Sequence, residues 1–232
     1  MMLELKNVGS YYDKTPILED INLSVPEGKC LCVLGKNGVG KSTLLHTMMG
    51  LTTKMTGELH IDGNDYSNEP THSRAKAGLG YVPQGRRILG KFTIRENILL
   101  GSFASDNKKQ GIPDLCMELF PYLRDNLDKR AGSLSGGQQQ QLAIARALAT
   151  DPKILLLDEP MEGIQPNVVQ EIGEALVMLN RELGMTLVLT EQHIKVAKEL
   201  SDYFMIMDVG RVVARGPIDE LTEGLVNTHL TI

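Results

Sequence analysis

Residues 35–42 combine glycines, a lysine and a serine in a spacing that can hold phosphate groups. The stretch has glycines at its first, fourth and sixth positions and directly follows the apolar residues 30–34. Glycines allow backbone N–H groups to converge on phosphate oxygens, Lys41 adds a positive charge for the β- and γ-phosphates, and the Ser42 hydroxyl can reach Mg²⁺. A helix starting here points its positive end at the same anion. We expect the nucleotide-binding residues to be Gly35, Lys36, Asn37, Gly38, Val39, Gly40, Lys41, Ser42 and Thr43.

Two adjacent carboxylates, Asp158 and Glu159, follow the apolar residues 154–157. Those residues predict a buried strand, and open α/β sheets bind their ligands at the carboxyl ends of strands. Asp158 is placed to hold Mg²⁺ through its water shell, and Glu159 to orient or deprotonate an attacking water. On their own, the two acids are equally consistent with capping a turn. Together with Lys41, they indicate hydrolysis of a nucleoside triphosphate.

A third motif, Leu134-Ser135-Gly136-Gly137-Gln138, begins a predicted helix that runs through Ala149. A serine and two glycines at a helix start make a second anion site. A chain with one phosphate loop has no use for a second γ-phosphate site unless that site serves a neighbouring subunit. The motif therefore predicts a dimer with nucleotide between its halves, in which Ser135, Gly136, Gly137 and Gln138 face the partner's nucleotide.

The elements that must position these motifs alternate between short apolar runs and longer amphipathic ones, which is typical of an α/β domain with a largely parallel sheet. The first third is richest in strands, with alternating patterns at residues 3–8 and 17–25. The continuously apolar residues 30–34 predict a central strand that needs cover on both faces. Further strands are expected at residues 153–157, 186–189 and 203–207.

Helical patterns dominate from Ile88 to about Leu148. Thr93 is a good cap for a helix over residues 94–100, and a second helix is expected over residues 113–120. Within the third helix, most of the glutamine run 138–141 is expected to face solvent. Beyond the next strand, Pro166 opens a helix that ends near Gly184, and its apolar stripe is Val169, Ile172, Leu176 and Leu179.

Composition excludes several classes of protein. The 232 residues carry a formal net charge of −5, so the chain lacks the basic excess that drives binding to nucleic acid backbones. No apolar stretch approaches the ~18 residues needed to span a bilayer, and the N-terminus lacks the pattern of a secretory signal. Three cysteines without a Cys-x-x-Cys pair suggest neither a disulfide framework nor a zinc site, so a reducing compartment is expected.

The three motifs, in this order and spacing, resemble those of the ATP-binding subunits of ABC transporters, and the resemblance covers essentially the whole chain. It implies a P-loop NTPase domain over residues 1–232, with an N-terminal antiparallel β subdomain, a mostly parallel core sheet and a helical insert at about 86–148. Residues 35–42 correspond to the Walker A loop, residues 134–138 to the signature, and residues 155–159 to the Walker B strand. ATP and Mg²⁺ are the implied cofactors.

The resemblance also assigns smaller sites. Tyr12 stands where the family stacks an aromatic ring on adenine, with Tyr11 as the alternative and a half-buried structural tyrosine as the ordinary interpretation. Gln84, in Tyr-Val-Pro-Gln, corresponds to the glutamine that senses Mg²⁺ and links the nucleotide to the helical insert. The Mg²⁺ set is then Ser42, Gln84 and Asp158, and Glu159 is the catalytic carboxylate.

Two positions depart from the common pattern. Where most members have a switch histidine, the chain has Gln192 followed by His193, and either side chain could reach the γ-phosphate. The segment Met161–Gln165 replaces the usual D-loop, and Gln165 stands where the family has an aspartate. Coupling across the dimer is therefore expected to use different hydrogen bonds.

The sequences of the motifs resemble those of two different groups of importers. The Gly-Arg-Arg sequence at 85–87 and the Glu191-Gln192 pair are similar to the second ATPase of branched-chain amino-acid importers. Residues 162–166, 136–144 and 36–40 look closer to an ATPase of the urea importers. We expect import of urea or a short amide, with branched-chain amino acids as the alternative. A soluble ABC ATPase is more remote, and a P-loop kinase or GTPase is contradicted by the signature at 134–138.

The resemblance implies a set of partners and a location. The chain would pair with a paralogous ATP-binding subunit or with a second copy of itself. It would dock as a peripheral protein on two integral membrane permease subunits, at the cytoplasmic face of the inner membrane. An external solute-binding protein would complete the importer.

Other conspicuous residues have simpler interpretations. Cys30 and Cys32, two apart on a predicted buried strand, are expected to be small core residues on one face. The histidines that lack a motif partner are expected to be ordinary surface or core residues; these are His46, His60, His72 and His229.

Overall fold

The computed structural model describes residues 1–103 and 111–230, and the strands in these ranges form two sheets. The strands are β1 (Leu3–Tyr12), β2 (Thr15–Val25), β3 (Cys30–Leu34), β4 (Lys54–Ile61), β5 (Asn64–Asp65), β6 (Leu79–Val82), β7 (Ile154–Asp158), β8 (Thr186–Glu191), β9 (Tyr203–Asp208) and β10 (Arg211–Pro217). One sheet is antiparallel, in the order β2-β1-β4-β5. The other has the order β10-β9-β3-β8-β7-β6. Its adjacent strands are parallel, except that the edge strand β10 is antiparallel to β9.

The helices pack around these sheets. They are α1 (Lys41–Met49), α2 (Thr71–Lys76), α3 (Ile94–Ser102), α4 (Asp114–Leu119), α5 (Pro121–Asp125), α6 (Gly136–Leu148), α7 (Pro166–Val177), α8 (Ile194–Leu200) and α9 (Glu223–His229). A π-helical turn over Met178–Glu182 continues α7. In the described parts of the chain, no helix combines the length and apolarity needed to cross a bilayer.

The central strand β3 contributes to two hydrophobic cores, as its continuous apolar run predicts. Cys30, Cys32 and Leu34 face a core that they share with the helices between β6 and β7. Leu31 and Val33 face the other core, together with α1 and the antiparallel sheet. Burial on both faces explains why the strand has no polar alternation. The prediction that the two cysteines share one buried face is confirmed.

Local capping fixes where the helices between β6 and β7 begin. Thr93 caps α3, with its hydroxyl accepting from the Glu96 N–H and its own N–H donating to the Glu96 carboxylate. Ser135 and Gln138 form the same reciprocal pair at the start of α6. Each pair satisfies two backbone N–H groups at a helix start, which stabilises that start. Residues 104–110 of the expected helical insert lie outside the described residues.

The prediction that most of the glutamine run 138–141 faces solvent is wrong. Gln140 and Gln141 are buried, and the Gln141 amide donates to the Glu171 carboxylate at 2.7 Å. The reason lies in the packing of α6, which is in contact with α3, α5, α7 and β6. A helix that is covered on several sides buries polar positions as well as its apolar stripe, and sequence periodicity cannot indicate that coverage.

The parallel strands deliver the functional segments to one edge of the sheet. Leu34, the last residue of β3, is paired with Glu191 at the end of β8. Asp158, the last residue of β7, is paired with Thr190. The residues that follow these strands therefore emerge side by side, as expected for ligand sites in open α/β sheets.

Candidate nucleotide-binding and hydrolysis site

The loop between β3 and α1 has a backbone shape that only glycine allows at two positions. A Cβ on Gly35 would lie 2.7 Å from Val39 Cγ2 and 2.8 Å from the Met207 carbonyl oxygen. Gly40 has a φ of 109°, and a Cβ there would meet Leu18 Cδ2 at 2.8 Å. The loop can therefore wrap closely around an anion at the start of α1, where backbone N–H groups are free to donate.

Lys41 is the first residue of α1, and its ammonium is held at three points. Nζ donates to the carbonyl oxygens of Gly35 at 2.9 Å and Lys36 at 3.1 Å. It also lies 2.9 Å from Glu159 Oε1, in a pair whose side chains are 4% and 5% exposed. The positive charge predicted for the phosphates and the predicted catalytic carboxylate are thus in direct contact.

Ser42 and Asp158 form a compact pair of oxygen ligands. The Ser42 hydroxyl donates to Asp158 Oδ1 at 3.1 Å, and the Thr190 hydroxyl donates to the same oxygen at 2.8 Å. Hydroxyl and carboxylate oxygens are the ligands that Mg²⁺ prefers. The Ser42 and Asp158 oxygens therefore fit a hydrated Mg²⁺ ion.

Tyr81 Oη is buried close to the negative charge of Asp158. Burial, followed by the Asp158 charge, raises the pKa of Tyr81 above its ordinary value. The phenol is therefore neutral at physiological pH and can donate a hydrogen bond towards the Asp158 carboxylate.

Sequence reasoning missed Thr190, which joins the two acids. Its hydroxyl accepts from the Glu159 N–H at 2.9 Å while donating to Asp158. Thr190 is fully buried in β8. The sequence feature that could have indicated Thr190 is its hydroxyl group, which follows the apolar residues 187–189.

Glu159 is the residue on which the site converges. Its backbone has a φ of 45°, an uncommon left-handed conformation for a residue with a side chain, of the kind that clusters at functional sites. Gln84 donates to Oε2 at 3.1 Å, Gln192 donates to Oε1 at 3.0 Å, and Lys41 pairs with Oε1. Gln84 also donates to Glu162 Oε2 at 2.9 Å. The carboxylate is therefore fixed in orientation from three sides.

The structure separates the two candidates for the switch residue. The Gln192 amide reaches both Glu159 and, at 2.8 Å, Asn37 Oδ1 in the glycine-rich loop. His193 is exposed at the start of α8, where it lines a groove between α7 and α8 together with Val169 and Val196. The geometry therefore favours Gln192 as the residue that touches the site.

Beside Gln192, the Glu191 side chain is buried at the end of β8, and no local pattern predicts this. Its Oε2 accepts from the Gln192 N–H at 3.3 Å, and Oε1 has no hydrogen-bond partner in the described ranges. Burial raises the pKa of this carboxyl. A carboxyl that is shielded from water in this way favours its neutral form.

The signature residues contact segments other than the glycine-rich loop. Ser135 is exposed at the start of α6. A Cβ on Gly136 would meet the Arg86 guanidinium at 2.8 Å, and one on Gly137 would meet Val168 at 2.6 Å. These two glycines allow the segment after Gln84 and the start of α7 to approach α6 closely. Gln165, in the unusual D-loop, is the exposed N-cap of α7.

Tyr12 ends β1 beside the helix that follows the glycine-rich loop. Its side chain is 37% exposed, and its hydroxyl lies 2.8 Å from Nδ1 of His46 on α1. His46, which has no motif partner in the sequence, therefore contacts the residue predicted to stack on adenine. The contact joins residues 34 positions apart, and nothing in the local sequence indicates it.

Known proteins are similar to this chain in both sequence and fold. The family model described as ABC transporter matches residues 18–162. The high-affinity branched-chain amino acid transport ATP-binding protein BraG of Pseudomonas aeruginosa is 38% identical over 91% of each chain. The probable branched-chain amino acid transport ATP-binding protein LivF of Archaeoglobus fulgidus is 33% identical over 96% of this chain and 94% of its own.

A solved structure extends the similarity to the fold. It is a dimeric post-hydrolysis state of the ATP-binding cassette MJ0796 bound to ADP and Pi, with a TM-score of 0.83 and 29% identity, and the match covers 94% of this chain and 99% of that one. The expected cassette fold, with an antiparallel sheet, a mainly parallel sheet and helices between β6 and β7, is confirmed. The chain therefore belongs to the ABC transporter family, as one of its ATP-binding and ATP-hydrolysing subunits.

Proposed function

We propose that this subunit powers a membrane importer by hydrolysing MgATP at the edge formed by β3, β7 and β8. The observation that carries the proposal is the convergence of Lys41, Gln84 and Gln192 on Glu159, one residue after Asp158. A phosphate-binding cation, a candidate metal ligand and a candidate base thereby meet at one place. In phosphoryl transfer, such positioning and charge neutralisation carry most of the catalysis.

Each residue then has a distinct task. Residues 35–43 surround the phosphates, and Lys41 supplies the positive charge near the β- and γ-phosphates. Ser42 and Asp158 would hold Mg²⁺ together with Gln84, whose amide donates to the adjacent Glu159. When bound, the ion would neutralise charge on the phosphate oxygens. Glu159 orients or deprotonates the attacking water.

Gln192 links the γ-phosphate region to Glu159. Its amide contacts both Asn37 and the Glu159 carboxylate, so it can report the state of the phosphate to the base. ATP binding would give Lys41 phosphate oxygens as partners and release Glu159 Oε1 to water. His193 has no part in this step, because it faces the groove between α7 and α8.

The signature residues serve the ATP that a second cassette holds. Ser135, Gly136, Gly137 and Gln138 lie at the start of α6, with Ser135 exposed. The partner is a paralogous ATP-binding subunit or a second copy of this chain. Support comes from the MJ0796 cassette, whose solved structure is dimeric. Hydrolysis would reopen the dimer.

The segment between β6 and β7 carries exposed apolar side chains that are suited to contact with the membrane subunits. Leu89, Phe92, Leu100 and Phe103 are all at least 39% exposed, which is unusual for large apolar side chains that lie near one another in sequence. We infer that residues 1–232 form one cassette whose insert at about 86–148 docks on two permease subunits. The protein would then sit at the cytoplasmic face of the inner membrane, with an external solute-binding protein completing the importer.

We infer that the solute is urea or a short amide. The support is the amino-acid sequence of residues 162–166, 136–144 and 36–40, which looks closer to that of an ATPase of the urea importers. The second candidate is a branched-chain amino acid. It is favoured by the Gly-Arg-Arg sequence at 85–87 and by the similarity to BraG and LivF, which are branched-chain amino acid transport ATP-binding proteins.

Uptake of labelled urea and labelled leucine tests this proposal. The cells are nitrogen-starved source cells that carry the native chain, Lys41→Ala, or a control with the exposed Lys198 of α8 changed to Ala. Selective loss of urea uptake with Lys41→Ala supports the urea importer, whereas selective loss of leucine uptake identifies the second candidate. Unchanged uptake of both solutes contradicts a role in either importer.

A further inference from the structure

Tyr12 is held in place before any base stacks on it. It is the last residue of β1, and its neighbours are tied to residue 53: the Thr53 N–H donates to the Tyr11 carbonyl at 3.1 Å, and the Asp13 N–H donates to the Thr53 hydroxyl at 3.2 Å. These bonds fix the backbone. The direction of the exposed ring is fixed by a separate contact, between Tyr12 Oη and His46 Nδ1 at 2.8 Å.

His46 is itself anchored to the phosphate-binding helix. It lies five residues after Lys41 on α1, more than one turn along the same helix. Its ring packs edge-on against Tyr81, with the ring centroids 5.8 Å apart and an interplanar angle of 82°. Tyr81 in turn neighbours Asp158. The imidazole is therefore braced between the base side and the metal side of the site.

The protonation of His46 suits it to accept a hydrogen bond. Burial, with the charge of Arg87 acting in the same direction, lowers the pKa of His46 below its ordinary 6.5 although the charge of Asp158 opposes this. A neutral imidazole that carries its proton on Nε2 can accept a hydrogen bond from the Tyr12 hydroxyl at Nδ1. A fixed aromatic ring loses less conformational entropy when a ligand stacks on it.

We propose that His46 is a positioning residue for nucleotide binding, which fixes the Tyr12 ring at a set distance from the phosphate loop so that a purine base can stack on it. This inference rests on the proposed assignment of Tyr12 as the base-stacking residue. His46 touches neither the base nor the phosphates. Its effect should appear in the affinity for nucleotides and be absent from the affinity for phosphate chains that carry no base.

Four variants of the full chain isolate the hydrogen bond. Tyr12→Phe removes the donor, and His46→Phe removes the acceptor while keeping a flat ring against Tyr81. The double variant combines both changes. His46→Asn places an amide oxygen close to the position of Nδ1 and serves as the rescue. Binding is measured with the fluorescent ATP analogue MANT-ATP in Mg²⁺ buffer and, by calorimetry, with inorganic tripolyphosphate.

We expect each phenylalanine variant to raise the Kd for MANT-ATP roughly threefold to tenfold, the range for one ordinary hydrogen bond. The double variant should match the single variants, because both remove the same bond. His46→Asn should restore most of the affinity, and the Kd for tripolyphosphate should remain within about twofold in all variants.

Two results would overturn the inference. One is unchanged MANT-ATP affinity in His46→Phe, and the other is an equal loss of affinity for MANT-ATP and tripolyphosphate. Failure of the proposed nucleotide site itself looks different, because the native chain would then bind neither probe. In that case, the proposed role of His46 is also contradicted.

Discussion

Lys41 Nζ and Glu159 Oε1 are 2.9 Å apart, in an ion pair whose side chains are both almost fully buried. The pair joins the lysine that we propose to bind phosphate to the carboxylate that we propose to act on water. Two glutamines, Gln84 and Gln192, bond to the same carboxylate. In the proposed function, ATP binding would exchange Glu159 for phosphate oxygens as a partner of Lys41, and this exchange would couple nucleotide occupancy to the freedom of Glu159.

Breaking the ion pair from one side should destabilise the fold. Lys41→Met leaves the Glu159 carboxylate buried without a cation, which we expect to lower the free energy of unfolding by about 3 kcal/mol. Combining Lys41→Met with Glu159→Gln removes both charges and should recover most of that loss. Urea denaturation measures both effects. An unchanged midpoint in Lys41→Met would show that the pair contributes no stability.

Gln192 and His193 should differ in their effect on turnover. Gln192→Ala removes the link between Asn37 and Glu159, so we expect kcat to fall by roughly tenfold to a hundredfold through misplacement of the base. His193→Ala alters an exposed side chain in the groove between α7 and α8 and should leave kcat within about twofold. Steady-state phosphate release measures both variants. The reverse order of effects would assign the switch to His193.

Asp158 should control the Mg²⁺ requirement. Asp158→Asn removes the negative charge beside the Ser42 hydroxyl, so we expect the Mg²⁺ concentration for half-maximal hydrolysis to rise at least about tenfold. Asp128→Asn is the matched control, because the Asp128 side chain is 85% exposed on the surface. Chelation of Mg²⁺ should stop phosphate release by the native chain. An identical Mg²⁺ dependence in Asp158→Asn and Asp128→Asn contradicts the metal assignment.

The cysteines should be unreactive in the folded protein. Burial raises the pKa of Cys30 and of Cys116 to about 12, and it raises that of Cys32 well above its ordinary value. Since the thiolate is the reactive form, iodoacetamide at about pH 8, near the ordinary pKa of a free thiol, should label none of the three until denaturant is added. Rapid labelling of the native protein would contradict the buried placement on β3 and α4.

Local sequence determines the phosphate loop, the acidic pair and the caps, because each depends on residues that are neighbours in the chain. The glycines at 35–40, the strand that ends in Asp158 and the Thr93 cap of α3 lie where their patterns predict. The same patterns do not predict strands β4, β6 and β10. β6 has only four residues, and β10 is an edge strand with a mixed composition.

Contacts between distant segments cannot be predicted from the sequence. Thr190 joins the two acids, and His46 holds Tyr12, only because the sheets bring these segments together. Gln140 is buried because α6 is covered by neighbouring helices. The choice between Gln192 and His193 similarly depends on which way the chain leaves β8, which periodicity does not specify.

The role of Glu159 can be tested most directly by comparing nucleotide binding with phosphate release in the native chain and in Glu159→Gln. The amide keeps an oxygen acceptor for Lys41 but cannot take a proton from water. We expect the Kd for MANT-ATP to stay within about threefold and phosphate release to fall at least about a hundredfold, with an ATP-dependent dimer accumulating. Phosphate release at the native rate in Glu159→Gln would contradict the proposed catalytic site.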